Sequence, residues 1–505
     1  MQGPNSAELL ERNHLFSVEL RKQKRSEQAN TKRTRLSKTR EPGPVLSERI
    51  LSVFPQLRDM EDSHRLATLR STLARETDSE KVYLALQCTR LLIRKDSPIG
   101  DCTALDTLPF VLRHIDPRVS PSDVVYQAAF LLCDLAAGSH EVATAIVDYG
   151  GIEALVRVLE VDKQDMQECA LWGLGNVCAD CEEYRQLVVG KGMVGLVYEL
   201  IAGKHTDVTF LKAVAWSLAM LVQFPINLRP VDCQTAIQTV KELLSYRDFD
   251  IKKDALQALC SLTMQPKDHF THISLQSLLP IVVDSLSFDI VSLNFAALRI
   301  IGNLTFSDNE YIGELLALSV LSKLQPFLRS PNARIRKEVA WTLANIAAGT
   351  QDQAQALFKH PICQDALGGL RDPGYKVALE TSYVFRNLAS RLSPESVSRL
   401  VDMKIVSYFQ EVFERKEPDT QLNCLLVLST LLSAGEREAE ATGLPNQVIR
   451  AVEETKCLEA LERLQQKDRQ DLGKCAGDLV DRYFGVVPEF EDVGAEQRPP
   501  LFQFS

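Results

Sequence analysis

The segment Ala170–Asp180, ALWGLGNVCAD, recurs in altered form along the 505-residue chain. Related segments are VAWSLAMLVQ at Val214–Gln223, ALRIIGNLTFSD at Ala297–Asp308, VAWTLANIAAG at Val339–Gly349 and TSYVFRNLAS at Thr381–Ser390. When they are aligned on the position of Trp172, the marker residues are Phe130, Trp172, Trp216, Gln257, Arg299, Trp341 and Tyr383. Successive markers are separated by 42, 44, 41, 42, 42 and 42 residues. A spacing this regular indicates an internal repeat.

A period of about 42 residues rich in Leu and Ala is typical of helical solenoids of the armadillo or HEAT type. In GGIEALVRVLE, residues 150–160, apolar residues recur three and four positions apart, which predicts a helix that begins after the Gly pair at 150 and 151. Short helices joined by Gly-marked turns, followed by a longer helix, favour the three-helix armadillo unit. We therefore predict an all-α solenoid of armadillo repeats over residues 46–485. A basic segment, 1–45, precedes it, and an acidic disordered tail, 486–505, follows it.

Charge is divided unevenly along the chain. The net charge is -10, yet the first 40 residues carry about +6, so the remainder carries about -16. Blocks of opposite sign predict that each binds the other or a charged partner. The acidic body repels phosphates, so no direct nucleic-acid partner is expected. The N-terminus lacks the apolar stretch of a secretory signal, and no apolar run is long enough to predict a membrane span.

The sequence predicts neither an enzyme nor a metal or cofactor site. Most of the twelve cysteines lie among apolar residues, which favours buried thiols over disulfides. The one CxxC pair, Cys178 and Cys181, lacks the second pair or the His motif that zinc requires. No Gly-rich phosphate loop, Cys/His or Ser/His arrangement is tied to a plausible pocket.

An Asn follows the marker by four residues in several repeats. The pairs are Trp172/Asn176, Arg299/Asn303, Trp341/Asn345 and Tyr383/Asn387. Residues i and i+4 share a helix face, so stacked repeats would align these pairs as a ladder. An Asn amide offers a donor and an acceptor to a peptide backbone, and neighbouring rings can hold a Lys or Arg stem with a cation–π gain of about 0.5–2 kcal/mol. The alternative is that each Trp is a core residue and each Asn a helix-end polar group.

These segments resemble those of the importin alpha family, the armadillo adaptors that carry nuclear-localisation signals to importin beta. SVELRKQKRSEQ, residues 17–28, is similar to the family's importin-beta-binding segment, and CLEALERLQQKDRQDLGKCAGDLVDRYFG, residues 457–485, to its C-terminal repeat. The resemblance implies a right-handed superhelix of about ten repeats that shuttles between cytoplasm and nucleus. It also implies three partners: cargo proteins bearing basic signals, importin beta, and an export factor at the C-terminal repeat.

The resemblance also implies two signal-binding sites. The major site would comprise Phe130, Asp134, Trp172, Asn176, Asp180 and Trp216. It departs from the family pattern because Phe130 and Asp134 replace Trp and Asn, and Met220 replaces the Asn after Trp216. The minor site would comprise Arg299, Asn303, Glu338, Trp341, Asn345, Glu380, Tyr383 and Asn387, with Glu338 and Glu380 pairing with cargo cations. Gln257 and Ser261 form a rung without evident binding chemistry.

The basic head departs from the family as well. Arg21, Lys22, Lys24 and Arg25 match the importin-beta-binding cluster, but the preceding LLERNHLF contains Arg12 as its one base. Downstream, Lys32, Arg33 and Arg35 stand where the family keeps a stretch that mimics cargo and occupies the groove. Two alternatives stay open: a solvated basic tail or simple nuclear-targeting signal at the head, and a scaffold without transport function for the whole chain.

Overall fold

A computed structural model describes residues 46–95, 101–202, 207–269, 275–288, 290–466 and 469–485. The described residues form helices and connecting turns, with no β-strand among them. The helices gather into two compact units, whose described parts lie within residues 46–278 and 279–485. The predicted head, 1–45, and tail, 486–505, lie outside the described residues.

The 46–278 unit is a series of helices of 6 to 17 residues. They are α1 Glu48–Val53, α2 Asp62–Arg75, α3 Ser79–Lys95, α4 Asp101–His114, α5 Ser122–Ala136, α6 His140–Asp148, α7 Gly151–Leu159, α8 Gln164–Asp180, α9 Glu182–Gly190, α10 Met193–Ala202, α11 Val208–Leu221, α12 Pro230–Leu244 and α13 Phe249–Leu262.

The 279–485 unit continues with the same alternation of short and long helices. They are α14 Leu279–Ser285, α15 Val291–Ser307, α16 Asn309–Ala317, α17 Val320–Leu324, α18 Ala333–Ala348, α19 Gln351–Lys359, α20 Ile362–Ala366, α21 Tyr375–Arg391, α22 Pro394–Ser398, α23 Ile405–Glu414, α24 Pro418–Thr442, α25 Gln447–Glu453, α26 Cys457–Gln465 and α27 Gln470–Tyr483.

Several repeats consist of two short helices followed by a long one, as α6, α7 and α8 illustrate with 9, 9 and 17 residues. Each long helix packs against the next long helix of its unit: α3, α5, α8, α11 and α13 in the first, and α15, α18, α21, α24 and α27 in the second. A long helix between two others is apolar on nearly every face, and in α8 the run 173–179 is buried throughout. The predicted all-α fold with a longer final helix is therefore confirmed.

A left-handed residue separates the first two helices of several repeats. Gly150 has φ 78° and Gly192 has φ 77°, and the two lie one period of 42 residues apart. In the other unit Ser319 and Lys404 adopt the same conformation, with φ 57° and 59°. A Cβ is disfavoured in this region by about 1–2 kcal/mol, so Gly is the suitable residue where the turn must be tight. The Gly-marked turn read from the sequence at 150 is confirmed.

Side-chain caps stabilise the first turn of three of the long helices. Asp207, Asp248 and Asn332 precede α11, α13 and α18, and each side-chain oxygen accepts a hydrogen bond from a backbone N–H in the first turn, at 2.8 to 3.2 Å. Such caps contribute about 1 kcal/mol each. The marker residue sits nine positions after the cap in all three helices, so it lies on the same face relative to the cap in each.

The cysteines behave as small apolar side chains. Burial raises the pKa of the Cys363 and Cys457 thiols to about 12, so both are protonated and unreactive near neutral pH. In the part of the chain that the structure describes, no three metal-binding side chains come together. Nor does any described helix combine the length and the apolar character needed to cross a bilayer.

We predict that Gly150→Ala lowers the free energy of unfolding by about 1 kcal/mol, because it places a Cβ on a left-handed residue. The matched control is Gly195→Ala in α10, where a Cβ meets no atom within 4 Å and the backbone is already helical. The control should leave stability unchanged or raise it by less than about 1 kcal/mol. Urea titrations followed by circular dichroism measure both changes, and equal effects of the two variants would contradict the assignment of the turn.

Candidate functional site

The marker residues and their partners lie on successive long helices of each unit. We call the set in the 46–278 unit row A: Phe130/Asp134 on α5, Trp172/Asn176 on α8, Trp216/Met220 on α11 and Gln257/Ser261 on α13. We call the set in the 279–485 unit row B: Arg299/Asn303 on α15, Trp341/Asn345 on α18 and Tyr383/Asn387 on α21. The packing of each long helix on the next makes consecutive pairs neighbours within a row.

Three of the Asn side chains hydrogen-bond to the preceding repeat. Asn176 Nδ2 donates to the Cys133 carbonyl at 3.3 Å, Asn345 Nδ2 to that of Gly302 at 3.2 Å, and Asn387 Nδ2 to that of Ala344 at 2.8 Å. In every case the acceptor lies 43 residues earlier. Cys133 belongs to the last turn of α5, where carbonyls lack a helical partner. The Asn that follows the marker by four residues therefore links its long helix to the previous one in these three repeats.

The four Asn residues differ in exposure. Asn176 is 1% exposed and Asn303 8%, whereas Asn345 and Asn387 are half-buried. A side chain that is half-buried and held through its nitrogen still presents its carbonyl oxygen in a fixed direction. Row B thus carries the two Asn amides that combine exposure with a fixed orientation.

Two tryptophans, Trp216 and Trp341, pack closely against a glycine of the preceding long helix. A Cβ built on Gly175 would overlap the ring of Trp216, and one built on Gly302 would overlap the ring of Trp341. Both glycines directly precede the Asn of their repeat. The Gly-Asn dipeptide thus makes space for the next ring while placing the amide beside it.

The rings of row A contact other side chains of the chain. Trp216 is 3% exposed, and its ring centroid lies 4.5 Å from that of Trp172, which brings the two rings into direct contact. The sequence predicted slots between neighbouring rings, but these two leave no space for a Lys stem as they stand. The guanidinium carbon of Arg90 lies 4.0 Å from the centroid of the Phe130 ring. Asp134 is buried, so its carboxylate is not exposed to accept a hydrogen bond from a peptide backbone.

The remaining positions of row A are partly or fully buried. Met220 and Gln257 are half-buried, and the buried Ser261 donates to the Gln257 carbonyl at 3.4 Å. Asp180, at the end of α8, lies 2.5 Å from Nδ1 of His140 on α6. Several side chains of row A, among them Phe130, Trp216 and Asp180, therefore already have partners within the chain.

Row B begins with a buried group of charges. The guanidinium of Arg299 lies 2.9 Å from the Glu338 carboxylate and 5.2 Å from the centroid of the Trp341 ring. Lys337 approaches the other Glu338 oxygen at 3.3 Å. Glu338 is 2% exposed. The sequence predicted that Glu338 pairs with cargo cations. In the structure Glu338 instead forms ion pairs with two cations of its own unit, Arg299 and Lys337.

Burial and charge act in opposite directions on this group. Burial disfavours ionised Glu338, but the positive charges of Arg299 and Lys337 outweigh burial and hold its pKa below the ordinary value of 4.5. Burial likewise lowers the pKa of Lys337, and the neighbouring Arg299 lowers it further against the opposing effect of Glu338. Glu338 is therefore ionised at neutral pH, and its charge is balanced by cations of its own unit.

The second half of row B is more accessible. Trp341, Glu380 and Tyr383 are half-buried, as are Asn345 and Asn387. They combine an acid, two aromatic rings and two fixed amides on the adjacent helices α18 and α21. This arrangement suits an extended chain with a cationic side chain.

Sequence reasoning missed three basic residues that occupy the rows: Arg90, His140 and Lys337. The first two lie on other helices than the markers, yet Arg90 precedes Phe130 and His140 precedes Asp180 by 40 residues, close to one period. A charged residue about one period from a marker is therefore the signal that could have found them.

Comparison with known proteins agrees with this geometry. The model of the Armadillo/beta-catenin-like repeat matches residues 139–179 and 308–348, each of which comprises two short helices and a long one. The crystal structure of an engineered protein superposes with a TM-score of 0.69 at 21% identity, covering 84% of this chain and 99% of that one. The fold is that of armadillo repeats.

Curated relatives extend the similarity over most of the chain. Importin subunit alpha-1b of Oryza sativa subsp. japonica is 23% identical over 415 residues, spanning 81% of this chain and 77% of the relative. Importin subunit alpha-3 of Arabidopsis thaliana is 25% identical over 492 residues, spanning 96% and 91%. The chain is thus similar to importin alpha proteins along nearly its whole length.

We predict that Glu338→Gln lowers the free energy of unfolding by about 3 kcal/mol, because it leaves Arg299 and Lys337 without their shared counter-charge in a buried position. Urea denaturation followed by tryptophan fluorescence measures the change. Glu380→Gln, at a half-buried position on the next helix, is the matched control and should cost less than about 1 kcal/mol.

Two further measurements separate lost charge from lost packing. Replacing both members of the pair, with Arg299→Met and Glu338→Leu, should recover part of the lost free energy of unfolding. In this double variant Arg299 is no longer left as a buried charge without a counter-charge. The stabilising contribution of Glu338 is complete above pH 4.5 and is lost as the pH falls through its lowered folded pKa. An equal acid sensitivity of wild type and Glu338→Gln would contradict this account.

Proposed function

We propose that this chain is a nuclear import adaptor, in which row B binds an extended basic peptide of the cargo and the head links the complex to importin beta. The observation that carries the proposal is the set of half-buried side chains on α18 and α21: Trp341, Asn345, Glu380, Tyr383 and Asn387. The relatives named importin alpha support the same function.

The proposed binding mode follows from the chemistry of row B. Asn345 and Asn387 are held through their nitrogens by the preceding helix, so their carbonyl oxygens accept from backbone N–H groups of the peptide. A Lys or Arg stem lies against Trp341 or Tyr383, with its charge near Glu380. Arg299 and Glu338 contribute by supporting the Trp341 ring, and Asn303 by completing the row on α15.

Row A contributes less under this proposal. Phe130, Asp134, Trp172, Asn176, Asp180 and Trp216 correspond to a second peptide site, but Arg90, His140 and the Trp172–Trp216 contact occupy its positions. A peptide gains affinity there only after displacing these groups. Cargo therefore prefers row B.

The head supplies the link to the carrier. Arg21, Lys22, Lys24 and Arg25 bind importin beta, and Lys32, Arg33 and Arg35 compete with cargo for the acidic body. The adaptor would then shuttle between cytoplasm and nucleus and meet an export factor at the C-terminal repeat, around α26 and α27.

A second candidate is an armadillo scaffold without a transport role. The observation that favours it is the internal occupancy of row A, where the Trp172 and Trp216 rings lie 4.5 Å apart. A scaffold would bind other helical or extended partners and would not bind importin beta.

We predict that Asn345→Ala and Trp341→Ala each weaken binding of a basic peptide about tenfold, because each removes a hydrogen bond or a cation–π contact of the proposed mode. Trp216→Ala should reduce stability but leave peptide affinity within about twofold, since Trp216 is buried in the other unit. Isothermal titration calorimetry with a peptide of consecutive lysines measures affinity, and thermal melting monitors folding. Equal affinities of all three variants would count against row B.

We also predict that importin beta is retained by the wild-type chain in a pull-down and lost when Arg21, Lys22, Lys24 and Arg25 are changed to Ala. The charge-matched control changes four exposed cations of the 279–485 unit to Ala: Lys359, Arg391, Arg399 and Lys416. This control should retain importin beta. If the wild-type chain retains none, the scaffold function is favoured.

A further inference from the structure

The residue directly before the Asn of a rung is small in three repeats and large in the fourth. The small residues are Gly175, Gly302 and Ala344. In the fourth repeat Arg386 stands directly before Asn387 on α21, and its side chain is exposed. Row B therefore ends with a cation one position from an amide that the proposed function assigns to the peptide backbone.

The next long helix, α24, lacks the ring that requires a small neighbour. Every helix that carries a marker begins eight positions before it. Since α24 begins at Pro418, the equivalent of Tyr383 is Leu426. The equivalent of Asn387 is Thr430. Because no indole of α24 has to lie over position 386, a long side chain is tolerated there.

Three positions before the marker, α24 holds an amide where the two preceding long helices of row B hold an acid. Glu338 and Glu380 occupy this position in α18 and α21, and Asn423 occupies it in α24. Nη1 of Arg386 donates to Oδ1 of Asn423 at 3.0 Å. Asn423 is 3% exposed, and its Nδ2 donates to Oγ of Ser382 at 2.9 Å. The two hydrogen bonds fix the direction of the Asn423 oxygen and, with it, the position of the guanidinium.

A neutral amide orients Arg386 without neutralising its charge. By contrast, the guanidinium of Arg299 lies 2.9 Å from the carboxylate of Glu338. Among the residues that the structure describes in the 279–485 unit, none forms an ion pair with Arg386. The exposed part of its guanidinium retains N–H donors in a planar fork, which is the geometry that matches a carboxylate.

We propose that Arg386 is a specificity-determining residue of row B, and that it binds a carboxylate of the ligand next to the ligand's basic stretch. The inference rests on the proposed function, because it names the class of peptide that row B takes. A ligand made only of Lys and Arg places a cation beside Arg386, where like charges repel. A ligand with an Asp or Glu at that point forms a charge-assisted pair with the guanidinium.

The helix spacing sets the distance between the acid and the basic residues of the ligand. Arg386 reaches from α21 to α24, so its guanidinium lies beyond Tyr383 in the direction of the next repeat. Packed helices lie about 8–10 Å apart. An extended peptide covers that distance in about two to three residues, at about 3.3 Å each. The acid is therefore expected about two to three residues beyond the cation that lies against Tyr383.

The test measures binding of two peptides of equal charge to the full chain by isothermal titration calorimetry. Each peptide contains the same run of lysines and one Asp, which is placed beyond the N-terminal end of the run in one and beyond the C-terminal end in the other. Both peptide ends are blocked, so that Asp supplies the carboxylate.

The protein variants separate a specific contact from a general effect of charge. They are Arg386→Gln, Arg386→Glu and the matched control Arg391→Gln, which changes another exposed arginine of α21. A further variant, Asn345→Ala, tests row B itself at a position on α18. Circular dichroism confirms folding of each chain.

The native chain should bind one of the two peptides about fivefold more tightly than the other, which is the scale of one well-aligned exposed ion pair. Arg386→Gln should remove this preference, Arg386→Glu should reverse it, and Arg391→Gln should leave it unchanged. Equal affinity of the native chain for both peptides, or a preference that survives Arg386→Gln, overturns the inference.

The same data separate this inference from the proposed function. If Asn345→Ala weakens binding of both peptides and Arg386→Gln changes no preference, the role of Arg386 is wrong and row B stands. If Asn345→Ala is neutral and Arg386→Gln removes the preference, the carboxylate contact stands and row B is wrong. Absence of peptide binding in every chain overturns both.

Discussion

The hydrogen bond from an Asn amide to a carbonyl 43 residues earlier is the constraint on which the candidate site depends. It fixes each long helix against the previous one with a directional contact, where apolar packing alone would allow the helices to slide or rotate. The same bond fixes the amide plane, so the amide oxygen is oriented as well. Under the proposed function, stability and recognition use opposite sides of one side chain, and the acceptor is oriented before the peptide binds.

The two rows show how one repeat pattern yields different surfaces. In row A the ring-bearing positions contact Arg90 or another ring, and the acid contacts His140. In row B the Arg299–Glu338 pair is buried, whereas Glu380 and the amides of Asn345 and Asn387 are half-buried. The difference arises from a few residues outside the repeating motif, since both rows keep the same helical framework.

Much of the fold could be predicted from the sequence because its determinants are local and recur. The marker period, the helical spacing after Gly150 and the longer final helix all depend on residues close together in the chain, and the structure confirms them. The partner of each Asn could not be predicted, because the acceptor is a backbone carbonyl without a side-chain signature. The ion pair of Glu338 could not be predicted either, since its partner Arg299 lies 39 residues away in the sequence. Assignment of the rows to peptide binding stays a prediction.

The close contact of Trp341 with Gly302, and of Trp216 with Gly175, links positions that are far apart in sequence. A larger residue at either glycine displaces an indole from the neighbouring helix, and a different ring leaves a void above the glycine. The glycine and the tryptophan of each pair can therefore be substituted only together, because they are in contact across adjacent repeats. Repeats of this protein cannot be exchanged or inserted as independent modules unless the glycine of one and the indole of the next travel with them.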